Sequence, residues 1–449
     1  MDKTEIRAAI EVQQDICIGC SHCIKVCPTE ALRVINGKAT LYDDWCVDCG
    51  KCYRVCPTRA IRVVEDDLRR IFKYNKRILL IPSVFYAQFD GIVPIPMVNQ
   101  ILSDIGFTEI CLVEQGVDTL IDEINQYIQT AEEKPIISSF CPSVIRLIQV
   151  RFPSLVDRIA LLVPPIEMTA AYYRKKYHCE GCSDDDFGIF YITPCAGKIA
   201  SIKFPLGGYS SPINGVINMD TIYNRVLLAY KHREIGNAHI NYNSSISSKG
   251  LLWATTGGEA SEIEGKAMAI DGINNVIEFL EKLEDDEVGD GIDYLELRMC
   301  DESCSGGILS IGNRFLMADY LRNKSKEYPS SHPLYEEYKQ ISQNKIHIES
   351  IPSKSMVKYD KDITKAIEKM ERAKELETLL PGIDCGACGA PSCEALSADI
   401  VRDKASLDNC IFRQAALGKE GEMPIEKSIA IMEGIWGENR FIINKTNKK

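Results

Sequence analysis

The sequence predicts an α/β domain with mostly parallel sheets, preceded by a small α+β module and followed by a small helical one. Three observations carry this prediction. A cysteine-rich block occurs twice before about residue 65, apolar strand-like runs then alternate with helical patterns, and a compact cysteine group follows a helical stretch near the end. At 449 residues the chain exceeds what one core supports, so several domains are expected.

The first module, residues 1–70, rests on Cys17-x-x-Cys20-x-x-Cys23-x-x-x-Cys27-Pro28 and its near repeat Cys46-x-x-Cys49-x-x-Cys52-x-x-x-Cys56-Pro57. The segments CPTEALRV and CPTRAIRV show the same repeat, each unit reading as short strand, ligand loop and short helix. This run is the bacterial-ferredoxin signature. The resemblance implies two [4Fe-4S] clusters in which each fourth cysteine crosses over: Cys17, Cys20, Cys23 and Cys56 hold one, and Cys46, Cys49, Cys52 and Cys27 the other. Disulfides or zinc are the weaker reading of this doubled spacing.

Residues 71–355 read as the α/β domain. Strands are expected at Ile78–Ile81, at 109–113 and at 135–139, with helical patterns at 96–102 and 119–124 between them. Further strands are expected at 188–192, 250–254 and 294–298. Strands alternating with helices imply parallel pairing, and such sheets bind ligands beyond the carboxyl ends of their strands. Pro82-Ser83, Cys141-Pro142 and Pro194-Cys195 all fall there.

Residues 356–412 read as a linker helix, apolar at helical spacing over 362–373, leading into Cys385-x-x-Cys388-x(4)-Cys393-x(16)-Cys410. Gly386, Gly389 and Pro391 open the turns so that backbone amides approach the sulfurs. Zinc competes for four cysteines at this spacing. The surrounding LP…CGxCG-P-C pattern resembles a small [4Fe-4S] domain of corrinoid iron-sulfur proteins and electron-transfer complexes. Residues 413–449 are expected to be a C-terminal tail.

The remaining cysteines are dispersed. Phe140-Cys141-Pro142, Thr193-Pro194-Cys195-Ala196-Gly197-Lys198 and Met299-Cys300-Asp301-Glu302-Ser303-Cys304-Ser305-Gly306-Gly307 resemble, in order, the ligand motifs of the [FeFe]-hydrogenase catalytic domain. Ile81-Pro82-Ser83-Val84, Pro165-x-x-Met168 and Thr256-Gly257-Gly258 add to the likeness, which spans roughly residues 78–320. The resemblance implies that Cys141, Cys195 and Cys300 bind the cubane of an H-cluster and that Cys304 bridges it to a diiron subsite bearing CO and cyanide. Lys198 would donate to one cyanide, as a compact charge-assisted donor. Pro82 and Ser83 would line the other. Cys304 and Lys198 are the expected catalytic residues; the cofactors implied are three [4Fe-4S] clusters and the H-cluster.

The chain departs from that pattern where the family passes protons. The relay cysteine before the first cubane ligand is replaced by Phe140, and a phenyl ring carries no transferable proton. Ala160 and Asp122 align loosely with a serine and a glutamate of the usual path. Thr193 replaces a methionine, and Asp301-Glu302-Ser303 stand where glycines are usual. These departures resemble sensory, low-activity relatives, although no PAS domain is discernible. The expectation is reversible 2 H+ + 2 e- to H2 at low turnover, or hydrogen or redox sensing. The alternative is an electron-transfer or cluster-assembly protein holding only a cubane. Asp301 and Glu302 are candidates for a substitute proton path.

A net charge of -12 argues against nucleic acid as partner. A ferredoxin-like redox protein or a signalling subunit is the expected partner, alongside H2 and protons. Nineteen cysteines without a signal-like or membrane-spanning run imply the reducing cytoplasm. Cys111, inside an apolar run, reads as a core thiol. Cys179-Glu180-Gly181-Cys182 reads as an incidental loop pair or a redox pair, and His178 as a surface side chain.

Overall fold

The computed structural model describes residues 8–205, 210–232, 241–243, 245–345, 347–354, 359–360 and 362–442. They form two units, one drawn from segments Met1–Cys46, Gly50–Val63 and Lys354–Lys449, the other from Val47–Cys49 and Val64–Ser353.

In the first unit, β1 (Ile10–Val12) pairs antiparallel with a strand far along the chain, and β2 (Leu32–Ile35) pairs antiparallel with β3 (Lys38–Leu41). Asn36 and Gly37 both take positive φ, which lets a two-residue turn follow the twist of the hairpin. The partner of β1 is β4 (Ile61–Val63). Gly19 is required by a close approach: a Cβ there would lie 2.0 Å from the carbonyl oxygen of Gly37.

The expected linker helix spans Ile363–Thr378 and starts where the Asp362 carboxylate accepts the amides of Thr364 and Lys365. The expectation of a tail after residue 412 is corrected. Helices span Ile411–Glu420 and Ile425–Trp436, because Met423 and Ile435 give them apolar positions to bury. Backbone amides of Asn36 and Gly37 donate to Gly434 and Ile435, and that of Val34 donates to Gly389. The NKTNKK segment lies outside the described residues.

Arg33 and Asp399 form a buried bidentate pair in this unit, at 2.5 and 3.2 Å. Removing one partner strands the other charge away from water. Asp399→Ala is therefore expected to cost about 3–5 kcal/mol, read as a lower urea midpoint in the fluorescence of Trp45 and Trp436.

Among the described residues the second unit contains eight strands: β5 (Lys76–Ile81), β6 (Glu109–Leu112), β7 (Ile136–Ile137), β8 (Phe187–Thr193), β9 (Gly215–Asn218), β10 (Asn241–Asn243), β11 (Ala267–Asp271) and β12 (Tyr294–Arg298). They build two parallel sheets, ordered β10-β6-β5-β8-β9 and β11-β12-β7. All of β8 and the last four residues of β5 are buried, as covered parallel strands require. Helices Pro142–Arg151 and Ile273–Glu284 bury Val144, Leu147, Val276 and Leu280 in one core with Leu295 and Leu297 of β12.

The strand expected at 250–254 is a helix, Ser248–Leu252, because the Ser247 hydroxyl accepts the amide of Gly250 and caps it. Among the described residues no helix is long and apolar enough to cross a membrane.

Candidate metal centres

Parallel pairing places the carboxyl ends of neighbouring strands at one edge, and the chemistry collects beyond those ends. Cys141 follows β7 and caps helix Pro142–Arg151; Cys195 follows β8 and caps helix Ala196–Lys203. Both thiolates thus sit where helix amides favour negative charge. The two helix starts approach closely, and a Cβ on Gly197 would lie 2.3 Å from Ser143 Oγ. Cys300 follows β12, and Cys304 lies in the short helical turn Ser303–Gly306. Glu302 and Ser303 enter that turn at φ 58° and 52°, left-handed conformations that glycine adopts freely and these residues adopt only with strain.

Cys141, Cys195, Cys300 and Cys304 line one cavity, together with Lys198, Phe140, Arg298 and Ser303. Asp48 and Cys49 also line it. Burial pushes the Cys195 thiol up to about 12, with Lys198 opposing and Cys304 and Cys141 reinforcing the shift. Four sulfurs there require strong positive charge among them to be thiolates.

Phe140 fills the position of the missing thiol. The Lys198 ammonium and the Arg298 guanidinium each stand 4.1 Å from the centre of its ring. Both cationic side chains are buried. Arg298 donates to Glu259 at 2.6 Å and to Glu296 at 3.2 Å. Glu259 in turn accepts from Ser138 and Tyr294. Burial raises the Glu259 carboxyl. Burial opposes the Arg298 charge, yet Glu296, Glu259, Cys304 and Cys141 hold it protonated beyond its usual range.

Pro82 and Ser83, expected to line the subsite, are absent from the cavity wall. Ser83 is buried and donates through its amide and hydroxyl to Glu114 Oε1, at 2.8 and 2.9 Å. Pro82 precedes helix Ser83–Ala87. Glu114 is a residue that sequence reasoning missed. Burial pushes its carboxyl up to about 7, against the bonds from Ser83 and the charge of Lys198. The folded chain therefore retains a proton that the unfolded chain releases between pH 4.5 and about 7, so stability falls as pH rises through that window. Glu114→Gln is expected to flatten a loss of about 3 kcal/mol, measured as urea midpoints at about pH 5 and about pH 8.

Asp301 and Glu302 lie outside the cavity wall and pair with Arg314 and Arg322. Asp122 is exposed and bonds the hydroxyl of Tyr335, and Ala160 is buried in the core. The Thr193 hydroxyl accepts the Cys195 amide. Cys111 is fully buried, Cys179 is exposed and Cys182 is half-buried. The His178 ring is 3.0 Å from Asp184 at the surface.

In the first unit, burial pushes the Cys23 thiol up to about 12, and its thiol neighbours are Cys20, Cys17 and Cys56. The fourth cysteine of the second repeat is thus gathered with the first three of the first repeat. Cys27 and Cys56 sit in equivalent loops, accepting the amides of Ala31 and Ala60 at 3.2 Å, and each lies 3.8 Å from the hydroxyl of Thr29 or Thr58. Cys17 accepts amides from Gly19 and Ala39. Cys46 and Cys52 are buried, Cys20 and Cys49 half-buried. Such amide-to-sulfur bonds stabilise thiolate ligands.

Cys385, Cys388, Cys393 and Cys410 line a second cavity, with Asp384 accepting the Cys393 amide at 2.7 Å. Among the described residues no three His, Cys, Asp or Glu are placed to hold a single metal ion.

Three segments of the chain match families of iron-sulfur proteins. Residues 86–205 match the family of the iron only hydrogenase large subunit, C-terminal domain, residues 8–63 the 4Fe-4S dicluster domain, and residues 380–412 an Fe-S cluster family. Over residues 86–205 the chain is similar to the iron only hydrogenase large subunit. The first match contains Cys141, Cys195 and Lys198 and ends before Cys300 and Cys304. Among solved structures, the chain is similar to an [FeFe]-hydrogenase HydA(deltaEFG) captured in stepwise H-cluster assembly, at 13% identity and TM-score 0.47, covering 64% of this chain and 98% of that one. It is similar also to a variant of [FeFe]-hydrogenase HydA1 from Chlamydomonas reinhardtii, at 13% identity and TM-score 0.46, covering 63% and 96%. No curated protein matches the chain.

Proposed function

We propose that the chain is a slow or sensory [FeFe]-hydrogenase-type protein, with an H-cluster held by Cys141, Cys195, Cys300 and Cys304. Three [4Fe-4S] clusters on the other twelve cysteines would exchange electrons with a ferredoxin-like or signalling partner. One observation carries the reading: separate segments beyond β7, β8 and β12 bring four cysteines and two buried cations to a single cavity. Arg298 Nη1 and Ser303 Oγ on its wall have no protein hydrogen-bond partner. Buried cations and orphaned donors around thiolates fit a group with anionic ligands.

When bound, the diiron group would supply the redox chemistry that interconverts H2 with protons and electrons. Lys198 would hold an anionic ligand of that group, and Cys304 would join it to the cubane. Phe140 excludes water and offers no proton, which is the physical reason for low turnover.

The expected result after anaerobic maturation is dye-linked H2 oxidation that is slow yet clearly above that of a Cys304→Ala variant. Equal rates contradict the reading. A second reading, a cubane-only electron carrier, is favoured by Phe140 and by Ser83, which is bonded to Glu114 rather than set in the cavity wall.

A further inference from the structure

Arg298 ends β12, two residues before Cys300, and its side chain is 1% exposed. Its Nε and Nη2 are taken by Glu296 and Glu259, and Nη2 also reaches the carbonyl oxygen of Trp253 at 3.5 Å. Nη1 has no hydrogen-bond partner. Leaving a charged donor without a partner in the interior is destabilising. An arginine serving only to tie two carboxylates together has no need to pay that cost beside a wall of cysteines.

We propose that Arg298 is a positioning residue whose free Nη1 donates to a thiolate sulfur of the cluster on Cys141, Cys195, Cys300 and Cys304, and so raises that cluster's reduction potential. The inference rests on the reading that those cysteines hold a cluster. It does not require the diiron group. The physical basis is that reduction adds negative charge to the cluster, and a fixed buried cation with a free N–H on the same cavity wall stabilises the reduced form more than the oxidised one. The geometry is consistent: the guanidinium lines the cavity, lies against the Phe140 ring, and has Cys304 and Cys141 as its sulfur neighbours. Phe140 limits water around it, which keeps the interaction strong.

The test is an EPR-monitored redox titration of the full chain after anaerobic cluster reconstitution, without diiron maturation. The signal lost in Cys300→Ala identifies the cluster in question. In Arg298→Gln its reduced-to-oxidised ratio at the parent midpoint is expected to fall about tenfold, a shift of about 59 mV for one electron, with the other clusters unmoved. Arg298→Lys keeps a cation for Glu259 but lacks the second arm of the fork, and a smaller fall is expected. Iron content and urea midpoint establish that each variant is folded. An unchanged midpoint in folded Arg298→Gln overturns the inference; if that variant does not fold, an unchanged midpoint in Arg298→Lys overturns it. If Cys300→Ala removes no signal, the cluster reading itself fails instead.

Discussion

Lys198→Met is expected to abolish the metal CO and cyanide bands of the matured protein while leaving its cubanes in place. The ammonium is buried, and it stands on the first turn of the helix capped by Cys195, so it is held over the cavity. A charge-assisted bond to an anionic ligand contributes about 1.5–3 kcal/mol, which corresponds to a loss of retention of roughly tenfold to a hundredfold. Lys198→Arg is expected to be a poor substitute, because a longer side chain with a planar fork presents its donors in a different geometry from a compact ammonium. Infrared spectra of the variants matured in parallel with the parent check both expectations; parent-like bands in Lys198→Met would exclude the lysine from the site.

Cys300→Ala is expected to remove one cluster, lowering iron by about four atoms per chain. The lost iron should come from the larger unit, since Cys300 packs on the core containing Leu297 and Met299. Cys179→Ser is expected to leave iron unchanged, because that thiol is exposed at the end of helix Pro165–Cys179. Iron analysis of the reconstituted variants decides this. An unchanged iron content in Cys300→Ala, or a loss in Cys179→Ser, would redraw the ligand sets.

Much of the α/β architecture was legible because covered parallel strands are short apolar runs, as at Ile78–Ile81 and across β8. The two compact cysteine blocks were legible because cluster-binding families keep a fixed ligand spacing, and residues 8–63 and 380–412 match such families. What escaped had a physical reason. Ser247 turned an apolar stretch into a helix through one cap, a signal present in the sequence and outweighed there by the run Gly250–Ala254. Strands β9 and β10 are short and flanked by polar residues, so they carry little pattern.

The missed residues of the site are its buried charges. Arg298 and Glu296 occupy alternate positions of a buried strand and share one of its faces. Nothing local announces that Glu259, far upstream, supplies the second carboxylate. Glu114 likewise gains its importance from Ser83 on a neighbouring strand end, a pairing set by sheet order rather than by spacing. The departure at Phe140 could be seen in the sequence; that two cations stand over its ring could not.

The central claim is that the cavity of Cys141, Cys195, Cys300 and Cys304 holds more than a cubane. Infrared spectroscopy of the anaerobically matured chain tests it most directly. The account predicts metal CO and cyanide stretching bands that vanish in Cys304→Ala. A matured chain with a full complement of iron-sulfur clusters and no such bands would contradict it and leave a cubane-only electron carrier.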